Sequence, residues 1–251
     1  MAEKPLDGQV ALITGAAKRI GRSIALRLAH DGAAIAVNYS TSKAEAELLA
    51  RDIATQGGRS LAIQADVSRR ADVARMIGVT EREFGRLDIL VNNAGIFSGS
   101  KFQDLTDEQW DRMMNVNLKS QFLCAQAAAL IMKRQASGRI INITSLGGLL
   151  PWPGYTHYCV SKAGAIMLTR CLARALAPEI LVNSVAPGTI EFPGEPLGES
   201  GRALSTKEYI ERVPLHRTGT GEDIADAVAY LATTDFVTGQ VIAVDGGRML
   251  V

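Results

Sequence analysis

The chain alternates short apolar runs with longer segments in which apolar residues recur every three or four positions. A short run bounded by Gly, Asn or Pro suits a strand, and the three-to-four spacing suits a helix with one buried face. By that rule residues 9–14 form a strand and 20–29 a helix, followed by strand 33–39, helix 43–56, strand 60–65, helix 71–84 and strand 87–91. Residues 106–134 read as one long helical stretch. It carries Asn115 and Asn117 near its middle, where asparagine is a mediocre helix former, so one of the two is expected to serve function. Strand 139–144, a helix from the Tyr158 region to 177, strand 181–185, helix 222–232 and strand 240–244 complete the series. Alternation of strand and helix favours right-handed crossovers, hence an α/β fold built on a doubly wound parallel sheet of about seven strands with helices on both faces. One domain over residues 1–251 is expected. Residues 188–221 break the alternation: they are rich in Gly, Pro and charge, and too long for a routine connection of ~2 to 6 residues. This segment is predicted to be a substrate lid with one short helix near 206–212.

At 251 residues and 47% hydrophobic composition, the chain can bury a substantial core without disulfides or metals. No metal site is expected. A net charge of +1 without basic runs gives no electrostatic footprint for nucleic acid or an anionic membrane. Cys124, Cys159 and Cys171 lack CxxC spacing and fall in apolar helical segments, which points to core packing. The N-terminal residues lack an apolar signal core, and no window approaches ~18 uninterrupted apolar residues, so a soluble cytoplasmic protein is expected.

Candidate chemistry centres on residues 154–164. Tyr158 and Lys162 stand four apart, as neighbours on a helix, and a cation near a phenol lowers its pKa from the usual ~10. Tyr158 is thereby expected to serve as an acid or base. Ser145 lies thirteen residues upstream, just beyond strand 139–144, where its hydroxyl could share one carbonyl oxygen with the phenol. Near the N-terminus, Gly15 and Gly21 flank a strand-to-helix turn whose helix start presents backbone N–H groups to a phosphate. Asn93, Ala94 and Gly95 close the fourth strand with small residues and leave room for a ligand.

Taken together, TGAAKRIG, NNAG, the Ser145 to Tyr158 spacing, YCVSK, NSVAPG and VDGG stand in order across almost the whole chain, which resembles the short-chain dehydrogenase/reductase family. The resemblance implies a Rossmann-type sheet, a nicotinamide cofactor and a carbonyl/alcohol reaction. It implies Tyr158 as general acid, Ser145 as hydrogen-bond partner of the reacting oxygen, and Lys162 as ligand of the nicotinamide ribose that lowers the Tyr158 pKa. Asn117 would complete a proton relay through water. Gly15, Lys18, Arg19, Ile20 and Gly21 would meet the pyrophosphate and adenosine ribose, and Asp66 and Val67 the adenine. Asn93, Ala94 and Gly95 would meet the cofactor's middle, and Pro187, Gly188 and Thr189 the carboxamide end. Two departures stand out: Arg19 replaces the middle glycine of the turn, and Glu191-Phe192-Pro193 replaces the usual Thr after Pro-Gly.

The end of the second strand reads Asn38-Tyr39-Ser40-Thr41-Ser42, with neutral donors where an NAD enzyme places a carboxylate. With Lys18 and Arg19 opposite, NADP(H) is the expected cofactor. The expected substrate is a small carbonyl compound, thioester-bound or otherwise, with a pterin as runner-up because the Lys18-Arg19 turn resembles that of pteridine reductases. A cofactor-binding sensor without turnover is the contrasting class. Phe97, two residues past Gly95, is expected to stack on flat substrates or to pack under the lid. Small and apolar residues in 122–131 and in the helix after Tyr158 exceed what one buried face needs, so a homotetramer is expected.

Overall fold

The computed structural model describes residues 4–192 and 206–251. Seven parallel strands form one sheet: β1 (Val10–Ile13), β2 (Ala34–Tyr39), β3 (Ser60–Gln64), β4 (Ile89–Asn92), β5 (Gly138–Ile143), β6 (Ile180–Pro187) and β7 (Val241–Val244). Their order is β3-β2-β1-β4-β5-β6-β7, so the winding reverses between β1 and β4 and leaves a crevice at the strands' carboxyl ends. The helices are α1 (Arg19–His30), α2 (Lys43–Thr55), α3 (Arg70–Phe84), α4 (Asp107–Met114), α5 (Ser120–Arg134), α6 (Thr156–Leu176), α7 (Thr206–Arg212) and α8 (Gly221–Thr233).

The central strands are mostly apolar because both their faces are covered. Successive side chains point to opposite faces: Ala11 and Ile13 join a core with α1, α2 and α8, while Leu12 joins a second core with α3 and α5. Short departures from the expected boundaries have local causes. β4 starts at Ile89 because Asp88 is drawn out of the run: it accepts the Val10 N–H at 2.8 Å and is clamped by the Arg86 guanidinium. The stretch expected as one helix over 106–134 is interrupted by a π turn at Asn115–Lys119 between α4 and α5. Cys124 is buried as expected, but on α6 Cys159 is half-buried and Cys171 is exposed. The short helix expected near 206–212 is α7; residues 193–205 of the expected lid lie outside the described residues. Residues 189–191 and Gly219 are tied together, the Gly219 N–H donating to Thr189 O and the Glu191 N–H to Gly219 O, each at 2.9 Å.

Candidate active site

The turn after β1 is shaped by its two glycines. Gly15 takes a φ of 61°, and a β-carbon on Gly21 would lie 2.5 Å from Gly15 O and 2.6 Å from Asn93 Nδ2. Arg19, at the middle position where a glycine was the expected residue, adopts φ 51°, a left-handed conformation that costs an L residue about 1 kcal/mol. Helix α1 begins after Lys18 without a side-chain cap and with no acidic residue in its first turn, through Arg19, Ile20 and Gly21. Its positive end is therefore available to an outside anion. The Thr14 hydroxyl accepts the N–H groups of Asn93 (2.9 Å) and Ala94 (3.0 Å), and Asn93 Nδ2 donates to Thr14 O (2.8 Å) and Gly15 O (3.1 Å). These bonds fix Asn93, Ala94 and Gly95 against the turn.

At the end of β2 the expected donor set is corrected. Asn38 is 1% exposed; its Oδ1 accepts the Gly15 N–H at 3.1 Å and its Nδ2 donates to the carbonyls of Tyr39, Ile63 and Ala65. Tyr39 packs into the core beside α1 and α2. Both side chains are thus structural, because each is committed to the interior, and Ser40 (exposed) and Ser42 (half-buried) remain as donors. Lys18 Nζ lies 2.7 Å from Glu45 Oε1, a bond that holds the Glu45 carboxyl below its usual pKa. Asp66 Oδ1 accepts the Ser68 N–H and hydroxyl at 2.9 and 2.7 Å, and Val67 is buried beside α3. An uncapped helix start behind a glycine turn, with exposed Lys18, Arg19 and Ser40 around it, fits the phosphates of a dinucleotide.

The chemical corner is assembled by β4, β5, the π turn and α6. Ser145 follows β5, 5% exposed; its Oγ accepts the Gly147 N–H at 3.1 Å, and its side chain pulls the pKa of the neighbouring Tyr158 phenol down. Lys162, also 5% exposed, donates from Nζ to Ile143 O at 2.9 Å and sits 5.9 Å from the centre of the Tyr158 ring. A β-carbon on Gly95 would be 3.3 Å from Asn117 Oδ1 and 3.7 Å from Lys162 Nζ, so three elements converge on one point. Asn117 is fully buried: Oδ1 accepts the Ile96 N–H (2.7 Å) and Nδ2 donates to Ile96 O (2.9 Å) and Ser161 Oγ (3.3 Å). Its amide therefore staples the π turn to the segment after β4, and any part in a relay must come through its backbone.

The electrostatic balance reverses one expectation. Burial pushes the Tyr158 phenol up to about 12, outweighing the Ser145 hydrogen bond that pulls it down. Lys162 does not bring Tyr158 below its usual value here, because its ammonium is turned to the Ile143 carbonyl and burial pulls Lys162 itself down to about 8.

Phe97 joins a cluster that sequence reasoning had only partly found. Its ring stacks on Tyr155 at 4.8 Å between centres and meets Tyr158 edge-on at 4.7 Å, while Trp152 lies nearly parallel to Tyr158 at 6.0 Å. Trp152, Tyr155 and Tyr158 recur every three residues, a signal that could have drawn them in. One strand further along the edge, Pro187 closes β6, Gly188 donates to Val244 O at 2.9 Å, and Thr189 borders a cavity of about 450 Å³ with Pro214, Leu215, Arg217 and Asp245. Neither Ser145, Tyr158 nor Lys162 lines that cavity.

Known proteins resemble the chain over almost its whole length. A family model described as Enoyl-(Acyl carrier protein) reductase matches residues 15–248. The chain is 44% identical over 246 residues to the 3-oxoacyl-[acyl-carrier-protein] reductase FabG of Staphylococcus epidermidis, covering 96% of this chain and 98% of that one. It is 39% identical to the 3-oxoacyl-[acyl-carrier-protein] reductase of Synechocystis sp., covering 98% of each. Among solved structures, a short-chain dehydrogenase/reductase from Serratia marcescens superposes with a TM-score of 0.89 at 37% identity, over 97% of this chain and 99% of that one. These relatives lend the pterin alternative no support.

Proposed function

Because the chain belongs to the short-chain dehydrogenase/reductase family of oxidoreductases, which work with a nicotinamide cofactor, we propose that it reduces the 3-oxo group of a thioester with NADPH in the cytoplasm. The observation that carries this reading is buried Ser145, whose side chain acts on the Tyr158 phenol, set beside buried Lys162 at the point where β4, the π turn and α6 meet. Bound cofactor would supply the hydride to the carbonyl carbon. The chain's own work is with the oxygen. Ser145 and Tyr158 hold it, and Tyr158, whose pKa of about 12 keeps its proton in place at neutral pH, donates that proton as negative charge develops. The Lys162 ammonium, 5.9 Å from the ring centre, would stabilise the phenolate left behind and hold the nicotinamide ribose. Asn117 ties the π turn to the segment after β4 beside them, and a reprotonation path through its backbone and water would complete the cycle.

Lys18, Arg19, Ser40 and Ser42 would take the 2′-phosphate and Gly15, Ile20 and Gly21 the pyrophosphate. Asp66, Val67, Asn93, Ala94 and Gly95 would line the rest of the cofactor, with Pro187, Gly188 and Thr189 at its carboxamide end. Residues 188–221 would close over the substrate as a lid. A homotetramer is proposed from apolar side chains left outward on α5 and α6, among them Leu130 (64% exposed) and Met167 (55%); light scattering that gave a monomer at micromolar concentration would exclude it. The reaction itself is tested by following NADPH absorbance with acetoacetyl thioesters, quinones, sugars and pterins. Rapid oxidation with the thioester is expected; cofactor binding without turnover on any of them would make the protein a sensor.

A further inference from the structure

Gln121 lies on the first turn of α5, 1% exposed, and the mechanism above gives it nothing to do. Its Nε2 reaches Ile143 O at 3.5 Å, a long and weak contact, and that same carbonyl takes the Lys162 ammonium at 2.9 Å. Its Oε1 has no hydrogen-bond partner among the described residues. Exchanging the amide's two ends would set its oxygen against the Ile143 oxygen, so the neighbouring carbonyl dictates which end faces it. A buried amide oxygen left alone carries an uncompensated desolvation cost, and a leucine or methionine would fill the same space without that cost. The position therefore calls for a donor. Lys162 Nζ is the strongest one nearby, with three protons of which Ile143 takes one.

We infer that Gln121 is a positioning residue for Lys162: it shares the Ile143 carbonyl with the ammonium and offers Oε1 as a second acceptor through one water. The inference rests on the proposed role of Lys162 in the reductase. An amide oxygen stabilises the charged form of a buried amine against the desolvation that pulls Lys162 down. Few other groups compete for that part. From α6 itself the ammonium faces the Tyr158 ring, with Cys159 and His157 on the same turn; Ser145 and Ile143 approach from β5, Asn117 from the π turn and Gly95 from the end of β4. None of these is a carboxylate, so uncharged acceptors must hold the charge.

The test is the titration of Lys162 in the enzyme without cofactor, read from the ¹³C shift of its ε-carbon and assigned with Lys162→Arg. In Gln121→Met the midpoint is expected to fall by about half a unit or more, and in Gln121→Glu to rise by a similar amount. The alkaline limb of kcat/KM should move the same way in each variant, with kcat changed more than KM for the thioester. Folded Gln121→Met and Gln121→Glu that both titrate with the wild-type midpoint would overturn the inference, and Gln121→Glu alone decides it if the methionine variant fails to fold. Should the wild type reduce no carbonyl while the midpoints still move, the positioning role stands and the reductase reading falls.

Discussion

Lys162 and Lys18 stand on the same edge of the sheet with the same charge, yet their surroundings treat it in opposite ways. Lys162 is 5% exposed, fixed on a backbone carbonyl and pulled by burial to about 8, whereas the Lys18 side chain is 51% exposed and meets Glu45 in open water. In the buried corner each charge is weakly screened, so one proton can separate a working site from an idle one. At the rim, water and salt reduce each ion pair to a modest preference. On the proposed reading chemistry belongs to the first region and cofactor choice to the second, and substitutions in the two should differ in scale as well as in kind.

The largest effect should come from Tyr158→Phe. It removes the one transferable proton and leaves the ring in its aromatic cluster, so kcat is expected to fall ~10²- to 10⁴-fold. NADPH affinity by fluorescence titration should stay unchanged, and a variant that kept a tenth of the wild-type rate would place the acid elsewhere. Lys162→Met reads the same corner through stability. The folded-state value of about 8 lies below the ordinary 10.5, so between the two the folded protein holds fewer protons than the unfolded chain. Wild-type stability therefore gains as pH rises through that window, and the charged form costs about 3 kcal/mol below it, less the donor that Ile143 would lose. Lys162→Met, although inactive, should melt several degrees above wild type at pH 7, with the gap closing toward pH 10. Lys18→Met should move the melting point by about a degree or less. A pH-independent gap in calorimetry would sink the idea.

The fold was legible where burial on both faces writes continuous apolar runs: the strand expected over 33–39 is β2, and the helix over 43–56 is α2. The π turn was not, because a single inserted residue barely disturbs a period of 3.6; only the poor helix formers Asn115 and Asn117 marked the place. Ser145, Tyr158 and Lys162 were legible as a set because their spacing ties a strand end to the next helix start. The fate of Asn38 was hidden, since its partners come from Gly15 and from Ile63 and Ala65, more than twenty residues away on either side. The direction of the Tyr158 shift was hidden for a related reason. Helical spacing shows which groups are neighbours, but the surrounding burial that outweighs the neighbour's charge is set by β5, the π turn and the aromatic cluster together.

At the rim, Arg19→Gly should sharpen the contrast with a smaller effect of a different kind. Removing the guanidinium is expected to cut the preference for NADPH over NADH about tenfold, the value of roughly one charge-assisted bond to phosphate. Because position 19 holds a φ of 51°, the glycine also relieves strain, so the variant should be no less stable than wild type. Unchanged cofactor preference, measured as the ratio of kcat/KM values, would return the 2′-phosphate to Lys18 and the serines.

The smallest effect is expected at Phe97, which belongs to neither regime: it is 46% exposed, carries no charge, and touches the chemistry only through the face of its ring. That ring stacks on Tyr155, tilted 3°, and meets Tyr158 at 79°, so it can do two things. It can hold the Tyr158 ring in position, which would affect every substrate alike. It can also offer its outer face to a flat or conjugated carbonyl, which would matter only for substrates with such a face and contribute ~0.5 to 1.5 kcal/mol beyond area burial. The parallel contact with Tyr155 uses one face, and the 46% exposure of the side chain leaves surface that a ligand could meet. Phe97→Ala is therefore expected to lower kcat/KM for a conjugated ketone about three- to tenfold more than for acetoacetyl thioester. Equal losses on the two substrates would reduce Phe97 to a support for Tyr158 and leave the aromatic cluster a part of the buried corner alone.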